Sequence, residues 1–287
     1  MYELVEVIAH SRDGATYLAR DPRGARHFVE LLFDPHLASD RARFDAVLQS
    51  AKRAAAIDRR RIVQVHDGGV DAASNVPYLV STPLLGEDLE AQVARAGALP
   101  AALATSLFCK AAATIARAHE RRIIHGALAP QRVFLVRDGA EPEVSIGGFG
   151  LGPPARELLT STDGGRRRSD VAHGDLRAMP PEQLRGARVT DERSDVWSLG
   201  ACLYFALSGA SPWGHVRGIG ELVVATHAHE VPRLRSRAPS IARELEQVVH
   251  RALSRDPSQR TGSAAALAEE LRILAPAGMR GADVTLE

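Results

Sequence analysis

The segment Ser194-Asp195-Val196-Trp197-Ser198-Leu199-Gly200 opens the most apolar stretch of this 287-residue chain. From Asp195 to Leu207, apolar side chains follow the three- and four-residue spacing that indicates a helix. Small polar residues interrupt the stretch before it reaches the roughly 18 apolar residues that a membrane-spanning helix needs. The stretch therefore predicts a core helix of a globular domain, and we expect no membrane span in this chain.

The overall composition is that of an ordinary globular protein, with 45% hydrophobic and 25% charged residues. Lys and Arg (36) nearly cancel Asp and Glu (35), so no global charge favours nucleic acid, and we expect no nucleic-acid partner. Cys109 and Cys202 lie in apolar helical patterns, which favours free thiols in a reducing compartment. Because the sequence starts without a signal-peptide pattern, we expect a cytoplasmic protein.

The first 81 residues predict a β-rich lobe. Three short strand-like runs between residues 2 and 33 are separated by turn signals, which indicates an antiparallel meander. Asp40 is a candidate N-cap for a helix that reaches about Ile57. Strand patterns return at 62–66 and 78–80, and a linker with proline and glycine follows them.

Residues 82–275 predict a mainly helical lobe, and 276–287 predict a tail. Apolar spacing indicates a long helix from Pro100 to Glu120 near the start of this lobe. The later segments are a small hairpin at 133–146, a long polar loop at about 147–181, and helices at 241–254 and 264–274.

Three motifs of the second lobe resemble motifs of bacterial Ser/Thr protein kinases. Residues 180–186 are similar to the family's S-P-E-Q-x-x-G, 194–200 match its S-D-V-W-S-L-G, and 252–260 are similar to its A-L-x-x-x-P-x-x-R. The resemblance implies an α+β, bilobal protein kinase-like fold with a small β-rich N-lobe and a larger helical C-lobe. Together the two lobes would form one kinase-like domain.

Four positions that carry phosphotransfer chemistry in this family hold other residues here. By this resemblance, Glu30 stands at the phosphate-binding lysine, Ala127 at the catalytic aspartate, Arg132 at the metal-binding asparagine and Gly148 at the metal-binding aspartate. The resemblance with these replacements implies a catalytically inactive pseudokinase. We therefore expect no enzyme activity, no cofactor and no metal ligands.

The nucleotide pocket also departs from the family pattern. The glycine-rich loop would fall at 8–16, where Ala9 and Ser11 replace glycines and Gly14 is kept. Phe28 stands where a small alanine lies above adenine, and Phe134 stands at the usually aliphatic position below it. Because aromatic rings bury large areas, we expect these two rings to fill the adenine slot and exclude ATP.

The charged replacements leave several interpretations open. Glu30 is either a solvated strand carboxylate or an inward residue that excludes nucleotide. Arg132 points to water, pairs with Glu30, or binds phosphate without a metal together with Arg12.

Five residues match fold supports of the family. By resemblance, His125 and Phe149 stack in an internal spine, and Asp195 holds the backbone of the catalytic loop. Glu182 and Arg260 match a buried ion pair, which is costly to break from one side.

With the supports kept and the chemistry replaced, we expect a regulatory or scaffold module that binds proteins. A companion kinase and a phosphopeptide-binding domain are the expected partner classes, and phosphorylation of Thr160 in the long loop is one hypothesis for docking. The alternative function is a nucleotide-binding sensor or an atypical transferase with metal-independent phosphate binding.

Overall fold

An antiparallel five-stranded sheet forms the first lobe of the computed structural model. The strands lie in the order β1-β2-β3-β5-β4. They are β1 (Glu3–His10), β2 (Gly14–Arg20), β3 (Arg26–Leu32), β4 (Val65–Val70) and β5 (Pro77–Ser81). The structure describes residues 2–10, 14–137, 142–152, 176–184, 191–214, 216 and 219–275.

Strand β4 begins later than the predicted segment 62–66. Ile62 instead forms an isolated parallel bridge with Ile146 of the second lobe. The strand continues through Gly68, where a Cβ atom would lie 2.8 Å from the carbonyl oxygen of Tyr78. Glycine permits this close approach of two backbones, whereas in the sequence glycine interrupts a strand pattern.

Two helices follow β3 and pack on the sheet: α1 (Pro35–Ser39) and α2 (Arg41–Ala55). Asp40 is the N-cap of α2, as predicted, because its side chain accepts a hydrogen bond of 3.0 Å from the backbone N–H of Arg43. The apolar face of α2, which includes Phe44, Val47 and Leu48, packs with Leu79 of β5. This contact fixes α2 against the sheet.

The second lobe is mainly helical, which confirms the predicted α+β, bilobal fold. Its helices are α3 (Leu89–Ala96), α4 (Ala101–Glu120), α5 (Pro181–Leu184), α6 (Glu192–Ser208), α7 (Ile219–Ala228), α8 (Leu234–Arg237), α9 (Arg243–Ala252) and α10 (Ala264–Leu274). A small sheet in the order β6-β7-β8 lies at the junction of the lobes. Its strands are β6 (Gly86–Asp88), β7 (Val133–Arg137) and β8 (Pro142–Ile146).

Helix α6 forms the centre of the second lobe. Every side chain from Ser194 to Leu207 is buried, which confirms the core helix predicted from this stretch. At Gly200, a Cβ atom would lie 2.9 Å from the Cβ of Ala252, so α6 and α9 approach closely there. Among the described helices, none has the length and apolarity needed to cross a membrane.

Several predictions fall outside the described residues. They concern Ser11 and Arg12, Thr160 with most of the long loop, and the tail at 276–287. The division of the chain after residue 81 stays a prediction.

Candidate functional site

Asp195 of α6 holds the loop that precedes β7. Its Oδ2 accepts a hydrogen bond of 2.8 Å from the backbone N–H of His125, and its Oδ1 accepts one of 2.9 Å from Gly126. The ring of His119 donates a third, of 2.8 Å. Burial raises the pKa of Asp195, but the hydrogen bond from His119 and its other partners outweigh burial and lower the pKa from its ordinary value. The carboxylate is therefore charged and fully engaged in positioning this loop.

His125 supports the start of the long loop. Its Nε2–H donates to the carbonyl oxygen of Gly147 at 2.8 Å, and its Nδ1 accepts from the backbone N–H of Ala127 at 3.3 Å. The rings of His125 and Phe149 have centroids 4.4 Å apart. Burial lowers the pKa of His125, so the ring is neutral at pH 7 and acts as a structural support.

Glu182 and Arg260 form a bidentate ion pair. The two Nη–Oε distances are 2.8 and 3.1 Å, and the Arg260 side chain is fully buried. Arg260 also donates to the carbonyl oxygens of Arg193 and Ser254, and its guanidinium lies 5.2 Å from the ring centroid of Trp197. Burial raises the pKa of Glu182, but Arg260 outweighs burial and lowers it from its ordinary value.

An ion pair between Glu30 and Arg132 crosses the junction of the two lobes. The register of β3 places Glu30 between Thr16 of β2 and Leu79 of β5. Nη1 of Arg132, which lies just before β7, approaches Oε1 of Glu30 to 2.5 Å. The side chains are 15% exposed for Arg132 and 27% exposed for Glu30. Of the interpretations left open by the sequence, the structure supports an inward Glu30 that pairs with Arg132.

Gly148 lies directly against the Arg132 side chain. Its φ angle is +83°, and a Cβ atom would lie 2.8 Å from Cδ and 3.1 Å from Nε of Arg132. The arginine therefore occupies the space that a side chain at position 148 would need. Positions 30, 132 and 148 form one interlocked arrangement, which we call the Arg132 cluster.

The residues after Gly148 pack against α2 of the first lobe. Leu151 is buried in the cluster that contains Phe44 and Val47, and Ala127 packs against the same cluster. A Cβ atom on Gly150 would lie 2.8 Å from the Cβ of Ser50. Position 127 is therefore an apolar contact between the lobes.

Phe28 and Phe134 are half-buried. Phe28 pairs with Leu18 and Ser81 in the first sheet, and Cε2 of Phe134 would lie 3.0 Å from a Cβ on Gly147. Among the described residues, no aromatic contact joins the two phenyl rings. The filled adenine slot stays a prediction.

The glycine-rich segment is described only in part. Ala9 of β1 is exposed. A Cβ on Gly14 would lie 2.3 Å from the carbonyl oxygen of Leu31, so glycine is required where β2 begins beside β3.

The sequence reasoning missed two sets of contacts. Leu151 lies three residues after Gly148, and this short separation was the one available signal for its role. Glu90 of α3 accepts hydrogen bonds from Gln131 at 2.6 Å and from Arg177 at 3.3 Å. These residues are far apart in the chain, and no local pattern indicated their contact.

Comparison with known proteins identifies the family. A family model described as "Protein kinase domain" matches residues 32–271. The chain belongs to the protein kinase family. Serine/threonine-protein kinase PknB of Mycolicibacterium smegmatis is 30% identical over 276 residues, which cover 94% of this chain and 42% of PknB. Serine/threonine-protein kinase Pkn1 of Myxococcus xanthus is 30% identical over 95% of this chain and 38% of Pkn1. This kinase-family chain thus spans less than half the length of these relatives.

Solved structures agree with this fold assignment. The crystal structure of the Mycobacterium tuberculosis PknI kinase domain superposes with a TM-score of 0.71 at 22% identity and covers 96% of each chain. A second crystal structure of that kinase domain gives a TM-score of 0.71 at 21% identity, with 95% of this chain and 94% of the other covered. At this level of identity, the likeness shows that the kinase fold is shared.

The prediction that this kinase-family chain is not an enzyme was wrong. Relatives that are 30% identical over almost the whole chain are named serine/threonine-protein kinases. The prediction inferred a loss of activity from four side chains. Replacement of four side chains does not by itself establish a loss of activity, because phosphoryl transfer also depends on positioning by the whole fold.

Proposed function

We propose that this kinase-family domain is a regulatory module that acts through protein contacts, and that its own side chains occupy the place of the nucleotide phosphates. The observation that carries the proposal is the ion pair between Glu30 and Arg132, which lies over Gly148. A triphosphate entering this place would have to displace Arg132 from Glu30. It would then face the Glu30 carboxylate in place of a lysine.

The charge of Glu30 and the residue types at positions 127 and 148 both support exclusion of ATP. The Glu30 carboxylate repels the anionic phosphates, and in a partly buried site this repulsion is screened less than in water. No residue at 127 or 148 offers a carboxylate for a metal ion, since these positions are Ala127 and Gly148. Oxygen ligands are the groups that Mg²⁺ prefers.

Exposed apolar side chains support a protein-binding role. Leu4, Val5, Val7 and Ile8 of the edge strand β1 are between 45% and 54% exposed. Apolar surface of this kind commonly marks sites of protein contact. A companion kinase or a phosphopeptide-binding domain is the partner class of this proposal. The reduced thiols of Cys109 and Cys202 support a cytoplasmic location.

Thermal unfolding with about 1 mM ATP tests the nucleotide part of the proposal, with Mg²⁺, without Mg²⁺ and with EDTA. A ligand at about 100 times its dissociation constant adds about 2.7 kcal/mol to the stability. For a domain of this size, each kcal/mol raises the midpoint by about 2 to 4 °C. We expect no shift in any condition, with an ATP-binding kinase domain as the positive control.

The second candidate function is a nucleotide-binding sensor or an atypical transferase. The kinase names of the relatives favour this candidate, and Arg132 is its phosphate-binding group. Stabilisation by ATP in EDTA that is lost in Arg132→Gln would select it. Stabilisation that requires Mg²⁺ would contradict both candidate functions, because each excludes a metal site.

A further inference from the structure

Two different contacts join the lobes around the Arg132 cluster. On one side, the guanidinium of Arg132 reaches Glu30 of β3. On the other side, Leu151 inserts among the apolar side chains of α2, and Ala127 packs against the same side chains. Both contacts use only residues of this chain.

The ion pair depends on the residue at position 148. The Arg132 side chain runs past Gly148 so closely that a Cβ atom there would lie 2.8 Å from Cδ. The backbone at Gly148 also has a positive φ of +83°, which glycine adopts without strain. Glycine at 148 therefore leaves the space through which the Arg132 side chain extends to Glu30 of β3.

We infer that Arg132 is an internal latch that holds the two lobes together when no nucleotide or metal ion is bound. This inference rests on the proposed function and adds the regulation of the same site. The arrangement of the lobes is set by an ion pair within the chain, so it does not follow the concentration of ATP. Surfaces that include parts of both lobes would then be presented to a protein partner at all times.

The apolar contact between Leu151 and α2 is expected to depend on the ion pair between Glu30 and Arg132. Leu151 immediately follows the segment that contains Gly148 and Gly150, and a Cβ on Gly150 would lie 2.8 Å from the Cβ of Ser50. Movement of Arg132 away from Glu30 would remove the side chain that packs against Gly148. Because Leu151 is only three residues from Gly148, the packing of Leu151 against α2 would loosen as well.

Hydrogen exchange in the absence of nucleotide tests the latch. The variants are Glu30→Gln, Arg132→Gln, the double variant, and the charge-swapped variant Glu30→Arg/Arg132→Glu. Each single variant is expected to raise amide exchange about fivefold to thirtyfold both in β3 and in residues 144–152, which lies within the range that usual coupling energies between contacting residues give. The double variant is expected to exchange no faster than either single variant, and the charge swap is expected to recover part of the protection.

The matched control is the ion pair between Glu87 and Arg95, which lies within the second lobe. Arg95→Gln is expected to leave exchange in β3 unchanged. Small-angle scattering gives a second measurement: the radius of gyration is expected to increase in Glu30→Gln and Arg132→Gln but not in Arg95→Gln. Circular dichroism and thermal unfolding confirm that each variant is folded.

Additive effects of the two single variants, or a change confined to one side of the junction, would overturn the latch. This outcome is separate from the test of the proposed function. Stabilisation of the wild-type domain by ATP would contradict nucleotide exclusion and would leave the coupling between Glu30 and Arg132 unchanged. If Glu30 and Arg132 showed no coupling and the domain bound no ATP, the latch would be overturned and the proposed function would stand.

Discussion

The side chain of Arg132 occupies the space beside Gly148, where a Cβ atom would lie 2.8 Å from its Cδ. Two positions that are 16 residues apart in the chain are therefore sterically dependent on each other. A residue other than glycine at 148 requires the Arg132 side chain to move. Single substitutions in this region report on this clash as well as on the chemistry of the new side chain.

Gly148→Asp is expected to destabilise the domain by about 1 to 3 kcal/mol, because it adds a clash with Arg132 and strain at a positive φ. The double variant Gly148→Asp/Arg132→Asn removes the clash and is expected to recover part of this loss. Urea denaturation of both variants and of Arg132→Asn measures the coupling. Equal losses in Gly148→Asp with and without the second substitution would show that the two positions are independent.

Arg260→Met is expected to destabilise the domain by about 3 to 5 kcal/mol, because it leaves the partly buried Glu182 carboxylate without its charged partner. Glu182→Leu/Arg260→Met removes both charges and is expected to cost less than Arg260→Met alone. Guanidinium denaturation gives the two free energies of unfolding. A larger loss in the double variant would contradict the view that the unpaired charge dominates.

The stability is expected to fall as the pH is lowered from 7 through about 6.5, because the neutral His125 ring is buried. Burial lowers the pKa of His125 in the folded state from the ordinary 6.5. The unfolded chain then binds the proton more strongly than the folded chain, so acid favours unfolding. Below pH 4.5 a second loss is expected, because Arg260 holds the pKa of Glu182 below that value and the unfolded chain takes up the proton first.

The variant His125→Phe keeps a ring against Phe149 and removes the titrating group. Its free energy of unfolding is expected to vary less between pH 7 and pH 5 than that of the wild-type domain. Chemical denaturation over a series of pH values makes the comparison. An unchanged slope in this interval would assign the pH dependence to other groups.

Ala127→Asp is expected to destabilise the domain by about 1 to 3 kcal/mol, because it places a carboxylate beside the apolar cluster of Leu151 and α2. Ala127→Ser, which adds a smaller polar group, is the matched control and is expected to cost less. Thermal and chemical unfolding measure both variants. A neutral effect of Ala127→Asp would show that position 127 faces solvent.

The supports of the second lobe could be predicted from the sequence, because their residues lie in long motifs with fixed spacing. Asp195 holds His125 and Gly126, Glu182 pairs with Arg260, and His125 contacts Phe149. Each contact follows once two motifs are placed in the same fold. The fold class follows from the same motifs, and the family comparison confirms it.

The Arg132 cluster could be anticipated only as one of several alternatives. Glu30 and Arg132 are 102 residues apart, and no local pattern shows that the arginine points toward β3. The steric role of Gly148 depends on the rotamer of Arg132, which the sequence does not indicate. The end of β4 at Val70 was missed because Gly68 and Gly69 interrupt the strand pattern in the sequence, whereas in the sheet Gly68 allows close backbone contact with β5 and Gly69 makes room for the ring of Tyr78.

The complete burial of α6 limits which parts of this domain can change over time. From Ser194 to Leu207 no side chain faces solvent, and Gly200 has no room for a methyl group beside Ala252. Most substitutions there would unfold the domain, whereas half-exposed positions in the junction between the lobes tolerate new side chains as long as they fit one another. We therefore expect the sequence of α6 to change little as the family diverges, whereas residues at the junction between the lobes can change more freely.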